Sequence, residues 1–567
     1  MFTTHNTTQG DLKTLEEAYD AFLTRFPLCY GYWKKYADGV TRLGGGRARA
    51  AAVYERSVVA AKACVPAWEQ FCAWHLACTQ EDLATVATTQ EARTAVVAAQ
   101  RARYERAVEA VGLDFGAGGL WGAFAAFEGG LGGAEEGVRR AVGVLLRACA
   151  VPLAAADALW TQLRGLVAQH ALAAVLPAAD AAAYAAARAS CPLEEQFRLE
   201  DDTRRALLAR AQATHDAATA LAAARAPYER VVGHRAYFHV APLEDVYLRA
   251  WRAYLALETR HGARPRIVAL YERCLVACAY YPEFWVSYAR FLEEGAGKDE
   301  SGATATNAGE SSESKSTATE TATATATTAA ETVYHRAFEV LGHGAEHGAE
   351  LPVAYAQFCE AHGRIDEARS VLVRAQEGCN GSACAELVVA RAEFEVRQGC
   401  RGAAVAVPRA ATDTVRDTPG RLCVWTRLCR LLASGDCGED DELAHTTEAM
   451  LEALPKCAEA WACAVDAAVG ATVWCAQPEA RRWALVLARG LLARMLGARA
   501  EAGALDAGAQ AAWWRRWRAL EARSGTAETL AGVAGDADAV ARADAEHRAL
   551  AQLLWVDSPA GRRALGV

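Results

Sequence analysis

One tripeptide, Tyr-Glu-Arg, recurs four times and limits what this chain can fold into more than any other feature. The copies are Tyr54-Glu55-Arg56, Tyr104-Glu105-Arg106, Tyr228-Glu229-Arg230 and Tyr271-Glu272-Arg273, with a weaker version at Tyr334-His335-Arg336. A second pattern keeps step with it: an aromatic residue followed three positions later by another. It occurs at Trp33/Tyr36, Trp68/Phe71, Trp121/Phe124, Trp251/Tyr254, Trp285/Tyr288 and Tyr355/Phe358, with a late copy at Trp514/Trp517. Spacing i, i+3 puts both rings on one face of a helix. Trp33 to Tyr54 is 21 residues and Trp251 to Tyr271 is 20; Trp33 to Trp68 is 35 and Trp251 to Trp285 is 34. A period near 34 residues holds two helices and two short turns, the signature of a helical-repeat solenoid. The expected fold is therefore all-α: antiparallel helix pairs stacked into a superhelical, tetratricopeptide-like array, with the Trp helix first in each pair and the Tyr-Glu-Arg helix second.

The physics of such a unit explains its letters. A lone hairpin has more apolar surface than it can bury, and the next hairpin covers it. Small residues such as Ala60, Ala61 and Ala277 let helices approach closely, and the rings fill the gaps between layers. Each buried ring contributes roughly 2–3 kcal/mol. The Glu and Arg of the second helix have two readings: pairs across helices or caps on neighbouring backbone, or solvated pairs worth under about 1 kcal/mol. A Glu also follows seven residues after Trp121, Trp251 and Trp514. Pro66, Pro282 and Pro352 stand just ahead of Trp68, Trp285 and Tyr355, where a proline fits the first turn of a helix.

The pattern divides the chain into four stretches. Residues 12–170 form an N-terminal array. Residues 171–226 are Ala-rich with little aromatic signal and read as one long helix or a degenerate repeat. Residues 227–376 form a second array. Within it, residues 296–330 are Gly, Ala, Thr, Ser and Glu without a large apolar side chain, expected as a disordered insertion. Residues 377–567 read as less regular helical repeats, marked by Phe394-Glu395, Trp425/Leu428, Trp461 and Trp483, and as a possible dimerisation region.

Composition excludes several function classes. At 567 residues the chain is too long for one compact core, as a solenoid allows. A formal net charge of −9 argues against a surface that coats nucleic acid and favours protein partners. The opening Met1–Gly10 is polar, so no leader is expected, and there is no uncharged apolar run long enough for a membrane span. The 18 cysteines lack paired CxxC motifs and read as free thiols in a reducing compartment. Cys379 and Cys384 alone are too few ligands for zinc. No P-loop, GxSxG, HExxH or dinucleotide glycine fingerprint is present, so no enzyme activity, catalytic residue, cofactor or metal is expected. His239 reads as a packing residue in an inter-repeat turn and His215 as a surface residue. Arg515, Arg516 and Arg518 beside Trp513 and Trp514, and Arg139 with Arg140, read as solvated helix faces ahead of nucleic-acid contacts.

Three stretches carry a more specific signal. Tyr237-Phe-His-Val-Ala-Pro-Leu243 lies directly ahead of the Trp251 helix, Gly112-Leu-Asp-Phe115 precedes Trp121, and Gly363-Arg-Ile-Asp-Glu-Ala-Arg369 follows Phe358. With the aromatic and Tyr-Glu-Arg patterns, they resemble the pre-mRNA-processing factor 39 family over roughly residues 15–400. That family is built of half-a-TPR (HAT) repeats. The resemblance implies a nuclear scaffold of pre-mRNA splicing. It would associate with the U1 small nuclear ribonucleoprotein and support 5′ splice-site recognition by docking on proteins such as the C-protein and the 70K subunit. It also implies a homodimer or a heterodimer with a related HAT protein, with RNA contact indirect or minor. The period alone would equally suit a HAT scaffold of mRNA 3′-end cleavage and polyadenylation or of rRNA processing; the Tyr237–Leu243 stretch favours splicing.

Overall fold

The computed structural model describes residues 12–85, 89–131, 134–238, 241–294, 312–344, 347–377, 379, 382–434, 442–455, 457–475, 477–497 and 507–533. Among these residues the regular elements are helices and there is no strand. The chain is rich in Ala, Leu, Arg and Glu, all strong helix formers. Prolines punctuate as expected: Pro66 and Pro352 lie in the first turns of their helices, and Pro282 opens its own. The chain separates into two compact units, residues 1–333 and 334–567.

The first unit opens with α1 (Leu12–Arg25), α2 (Tyr30–Arg42), α3 (Arg47–Ala60), α4 (Val65–Thr85), α5 (Gln90–Val111), α6 (Gly118–Gly130), α7 (Ala134–Cys149) and α8 (Ala156–Gln169). Helices α2, α4 and α6 are the Trp helices, and α3, α5 and α7 their partners. One continuous hydrophobic core, from Leu23 to Ala211, threads between them. The short α9 (Leu172–Val175) and α10 (Ala178–Ser190) follow, then α11 (Leu193–Val232), a single helix of 40 residues. It runs through the expected boundary at residue 226 and carries Tyr228-Glu229-Arg230 near its end. Helices α12 (Asp245–His261), α13 (Arg264–Ala277) and α14 (Pro282–Glu294) complete the second array's share of this unit.

Helix α15 (Ser312–Leu341) corrects one expectation. Residues 312–330, read from composition as part of a disordered insertion, are helical. The remainder of that insertion, 296–311, lies outside the described residues. The reason is cooperative. Val333, Tyr334, Ala337 and Phe338 are buried and fix a helix, and Ala330 and Ala326 continue the same buried face. Extending an existing helix costs far less than starting one, and Ala resists extension least.

The second unit comprises α16 (Glu350–Ala361), α17 (Ile365–Glu377), α18 (Ser382–Arg397), α19 (Arg401–Ala411), α20 (Thr418–Ala433), α21 (Glu442–Ala453), α22 (Ala458–Trp474), α23 (Pro478–Leu496) and α24 (Ala507–Ser524). Gly363, at φ 73°, supplies the left-handed residue that lets α17 double back on α16. A core from Trp425 to Leu520 holds α20 to α24 together.

Candidate functional site

The repeat rings lie inside. Trp33, Tyr36, Tyr54, Trp68, Phe71, Tyr104, Trp121, Phe124, Trp251, Tyr254, Tyr271, Trp285, Tyr288, Tyr334, Tyr355 and Phe358 are all buried, and Tyr228 is half-buried. The tyrosine of each tripeptide meets the next Trp helix ring to ring. Tyr104 stacks on Phe124 at 5.1 Å, Tyr228 on Tyr254 at 5.5 Å and Tyr271 on Tyr288 at 5.0 Å. Tyr334 lies 5.2 Å from Tyr355. Tyr54 meets the next Trp helix too, but on Trp74, one turn past Phe71, at 5.1 Å. Several indole N–H groups are pinned as well, although that of Trp251 is buried without an acceptor among the described residues. Trp33 donates to the Pro27 carbonyl and Trp68 to that of Lys62, both at 2.8 Å, and Trp285 donates to Ala279 at 2.9 Å.

The Glu and Arg of the tripeptide form a ladder from one second helix to the next. Arg106 on α5 grips Glu55 on α3 at 2.7 and 3.3 Å. Arg273 on α13 grips Glu229 on α11 twice at 2.8 Å. Each arginine also lies over the tryptophan of its own pair: Arg56 over Trp33 at 5.2 Å, Arg106 over Trp68 at 5.3 Å and Arg273 over Trp251 at 5.8 Å. The guanidinium thus joins a carboxylate and an indole face, two contacts that suit its planar charge. Glu272 takes a different partner, Lys62 at 3.1 Å, and Arg230 is exposed.

The ladder has members that the letters hide. Asp20 on α1 takes the glutamate's place and meets Arg56 at 2.8 Å. On α7 the text is Leu145-Leu146-Arg147, yet Arg147 grips Glu105 twice at 2.9 Å and covers Trp121 at 5.3 Å. The second unit repeats the device: Arg494 on α23 grips Glu448 on α21 at 2.7 and 3.1 Å and covers Trp461 at 5.5 Å. The glutamates seven residues after a tryptophan form a second, inner set. Glu128 is held by Arg101 at 2.8 Å, Glu258 by Arg225 at 2.8 Å and Glu521 by Arg489 at 2.7 Å. All three carboxylates are buried. Arg101 and Arg225 stand three residues ahead of Tyr104 and Tyr228, a spacing visible in the sequence once the pairing is known.

In the first unit the two arrays meet, and described residues of two of the family-like stretches, Gly112–Phe115 and Tyr237–Leu243, lie at the joint. Asp114, in the turn between α5 and α6, reaches Arg273 at 3.4 Å. Its carboxyl also accepts the Gly116 amide at 2.8 Å. Tyr254 donates its hydroxyl to Glu229 at 2.8 Å, which closes a buried knot of Asp114, Arg273, Glu229 and Tyr254. Burial pushes the Asp114 carboxyl above its ordinary range, and Arg273 and the Gly116 amide pull against it. Burial opposes the Arg273 charge, but Asp114 and Glu229 hold its pKa above the usual value. Around the knot, Tyr237 meets Tyr30 at 5.4 Å and Phe238 lies 6.2 Å from Phe26 and 5.5 Å from Tyr280. The Leu243 amide donates to the Tyr281 hydroxyl at 2.7 Å. His239 lies outside the described residues.

Other residues singled out from sequence fall as follows. His215 is not on the surface: it is buried, stacked on Trp160 at 5.3 Å and 3.3 Å from Asp157. Its place on the inner face of α11, opposite α8, overrides its polarity. His75 is likewise buried, against Phe71 and Trp74, and burial lowers its pKa to about 4. Arg515, Arg516 and Arg518 are exposed, with Arg516 turned back onto Asp466 at 3.2 Å and over Trp513 at 4.8 Å. Arg139 and Arg140 both pair with Glu136. The described cysteines are free thiols, and no group of three or more potential metal ligands occurs among the described residues. Nor is any described helix long and apolar enough to cross a membrane.

This is the architecture of a HAT-repeat protein, and comparison with known families agrees. A family model described as the PRP39 N-terminal HAT repeat matches residues 3–165, and one described as the PRP39 C-terminal HAT repeat matches residues 223–397. Together they take in well over half of the chain, which belongs to the PRP39 family. Pre-mRNA-processing factor 39 of Danio rerio is 30% identical over 305 residues, 49% of this chain and 38% of that protein. Its counterpart in Xenopus laevis is 26% identical over 416 residues, 69% of this chain and 56% of that protein. The chain thus spans roughly half the length of these relatives. A crystal structure of CSTF-77 aligns over 94% of this chain at 12% identity with a TM-score of 0.49, too low to carry function across.

Proposed function

We propose that this chain is a non-catalytic scaffold of nuclear pre-mRNA splicing that associates with the U1 small nuclear ribonucleoprotein and supports 5′ splice-site recognition by protein docking. The observation that carries this reading is the ordered match of both PRP39 HAT models, with the relatives' shared name of pre-mRNA-processing factor. The geometry supports it. Most of the ionic and aromatic groups of the repeat signature are engaged with one another, which leaves helix faces to hold partners at fixed separation. A rigid array of that kind lowers the entropic cost of bringing partners together. The partners are the particle's C-protein and 70K subunit, RNA contact is indirect or minor, and residues 377–567 provide the dimerisation region with a second copy or a related HAT protein.

The test is affinity purification of the full chain from nuclear extract, with identification of the small RNA and proteins retained. U1 RNA with the C-protein and 70K subunit supports the reading. Pre-ribosomal RNA, or 3′-end cleavage factors without U1 RNA, contradicts it and assigns the array to another RNA-processing complex.

A further inference from the structure

A cavity of about 240 Å³ opens beside the joint of the first unit. Its wall is Cys64 with the start of α4 (Val65, Pro66 and Glu69), the Asp114–Gly116 turn, the segment from Gly233 to Tyr237, and Arg273 with Val276 on α13. The charges on this wall do not balance. Arg273 is already committed to Glu229 and Asp114, and Lys62 to Glu272. Glu69 has no hydrogen-bond or ion-pair partner among the described residues. It is half-buried, and burial raises its carboxyl pKa with no cation to offset it. Its Oε1 lies where a side chain on Gly119 would stand, 2.6 Å from an added Cβ, so the bare first turn of α6 leaves the carboxylate its space. Tyr237, a residue 45% exposed, also lines the cavity, with its ring 5.4 Å from that of Tyr30.

We infer that this cavity is a subsite for an arginine side chain presented by an extended segment of a partner protein, with Glu69 receiving the guanidinium and Tyr237 stacking on it. An unpaired, partly desolvated carboxylate beside an exposed ring is the environment that a guanidinium fills best: it accepts a forked hydrogen bond and offers a π-face. Glu69 and Asp114 repel phosphate, so the occupant is a peptide and not RNA. The inference rests on the docking reading above for the kind of partner, but its test does not.

Purified full chain is titrated, by saturation-transfer NMR, with blocked Gly-Arg-Gly and with the same tripeptide carrying citrulline or lysine. The arginine peptide should bind roughly tenfold more tightly than the citrulline peptide, the size of one charge-assisted hydrogen bond. It should also exceed the lysine peptide. Glu69→Gln should erase the preference without changing the melting curve. Tyr237→Leu, at an exposed position, should weaken the arginine peptide by about threefold. Equal affinity for the three peptides, or a preference that survives Glu69→Gln, overturns the subsite. Either result leaves retention of U1 RNA to be judged separately.

Discussion

The same tripeptide stands in two very different surroundings. In the first array Glu55 and Arg106 keep 45% and 44% of their side chains in water. In the second, Glu229 and Arg273 keep 7% and 14%. The geometry is alike in both: a forked pair between successive second helices, laid over a tryptophan. What differs is the lid. The Asp114 turn of the first array closes over Arg273, whereas among the described residues Arg106 pairs only with Glu55 and lies over Trp68 and Phe71. One motif therefore serves as a weak surface rung in one place and as the centre of a buried knot in another. Identical letters do not imply equal energies, because the desolvation around a charge pair is set by what the rest of the chain lays on top of it.

That contrast can be broken at several strengths. Trp251→Ala, beneath the buried rung, should cost roughly 3–5 kcal/mol, measured by urea unfolding of the full chain. An unchanged midpoint would remove Trp251 from the core. Glu229→Gln should cost about 3 kcal/mol, since it leaves Arg273 charged and short of a partner in a buried site. A smaller effect comes from His75. The unfolded imidazole has an ordinary pKa of 6.5 and the folded one about 4, so the unfolded state binds more protons between those values. Stability should therefore fall as pH drops from 6.5 to 4, by up to about 2 kcal/mol, and His75→Phe should flatten that slope in melting curves taken across the range. The smallest changes belong to the exposed rungs. Glu55→Gln, and Glu448→Gln beneath Arg494, should each cost under about 1 kcal/mol and lose even that in high salt.

Much of this architecture was legible from the residues. The 34-residue period gave the helix pairs, and the i, i+3 rings pointed to the buried face because side-chain spacing on a helix is a local property. The inner glutamates were visible as a Glu seven residues after a tryptophan, although their arginine partners were not. Arg147 stayed hidden because Leu145 and Leu146 replace the Tyr and Glu ahead of it, and its rung needs only the arginine. The joint was beyond reach for a different reason. Lys62 and Glu272 are 210 residues apart, and no local pattern records which turns of a solenoid come back into contact. Helix α15 shows the opposite failure: composition described residues 312–330 in isolation, while the buried helix that follows them decided their state.

The most direct test of burial, not sequence, as the source of the difference is a pair of double-mutant cycles in urea unfolding: Glu229→Gln with Arg273→Met, and Glu55→Gln with Arg106→Met. The coupling energy should be about 2 kcal/mol or more for the buried rung and below about 0.5 kcal/mol for the exposed one. Equal couplings would mean that the Asp114 turn does not seal its rung and that the two arrays are not joined as described.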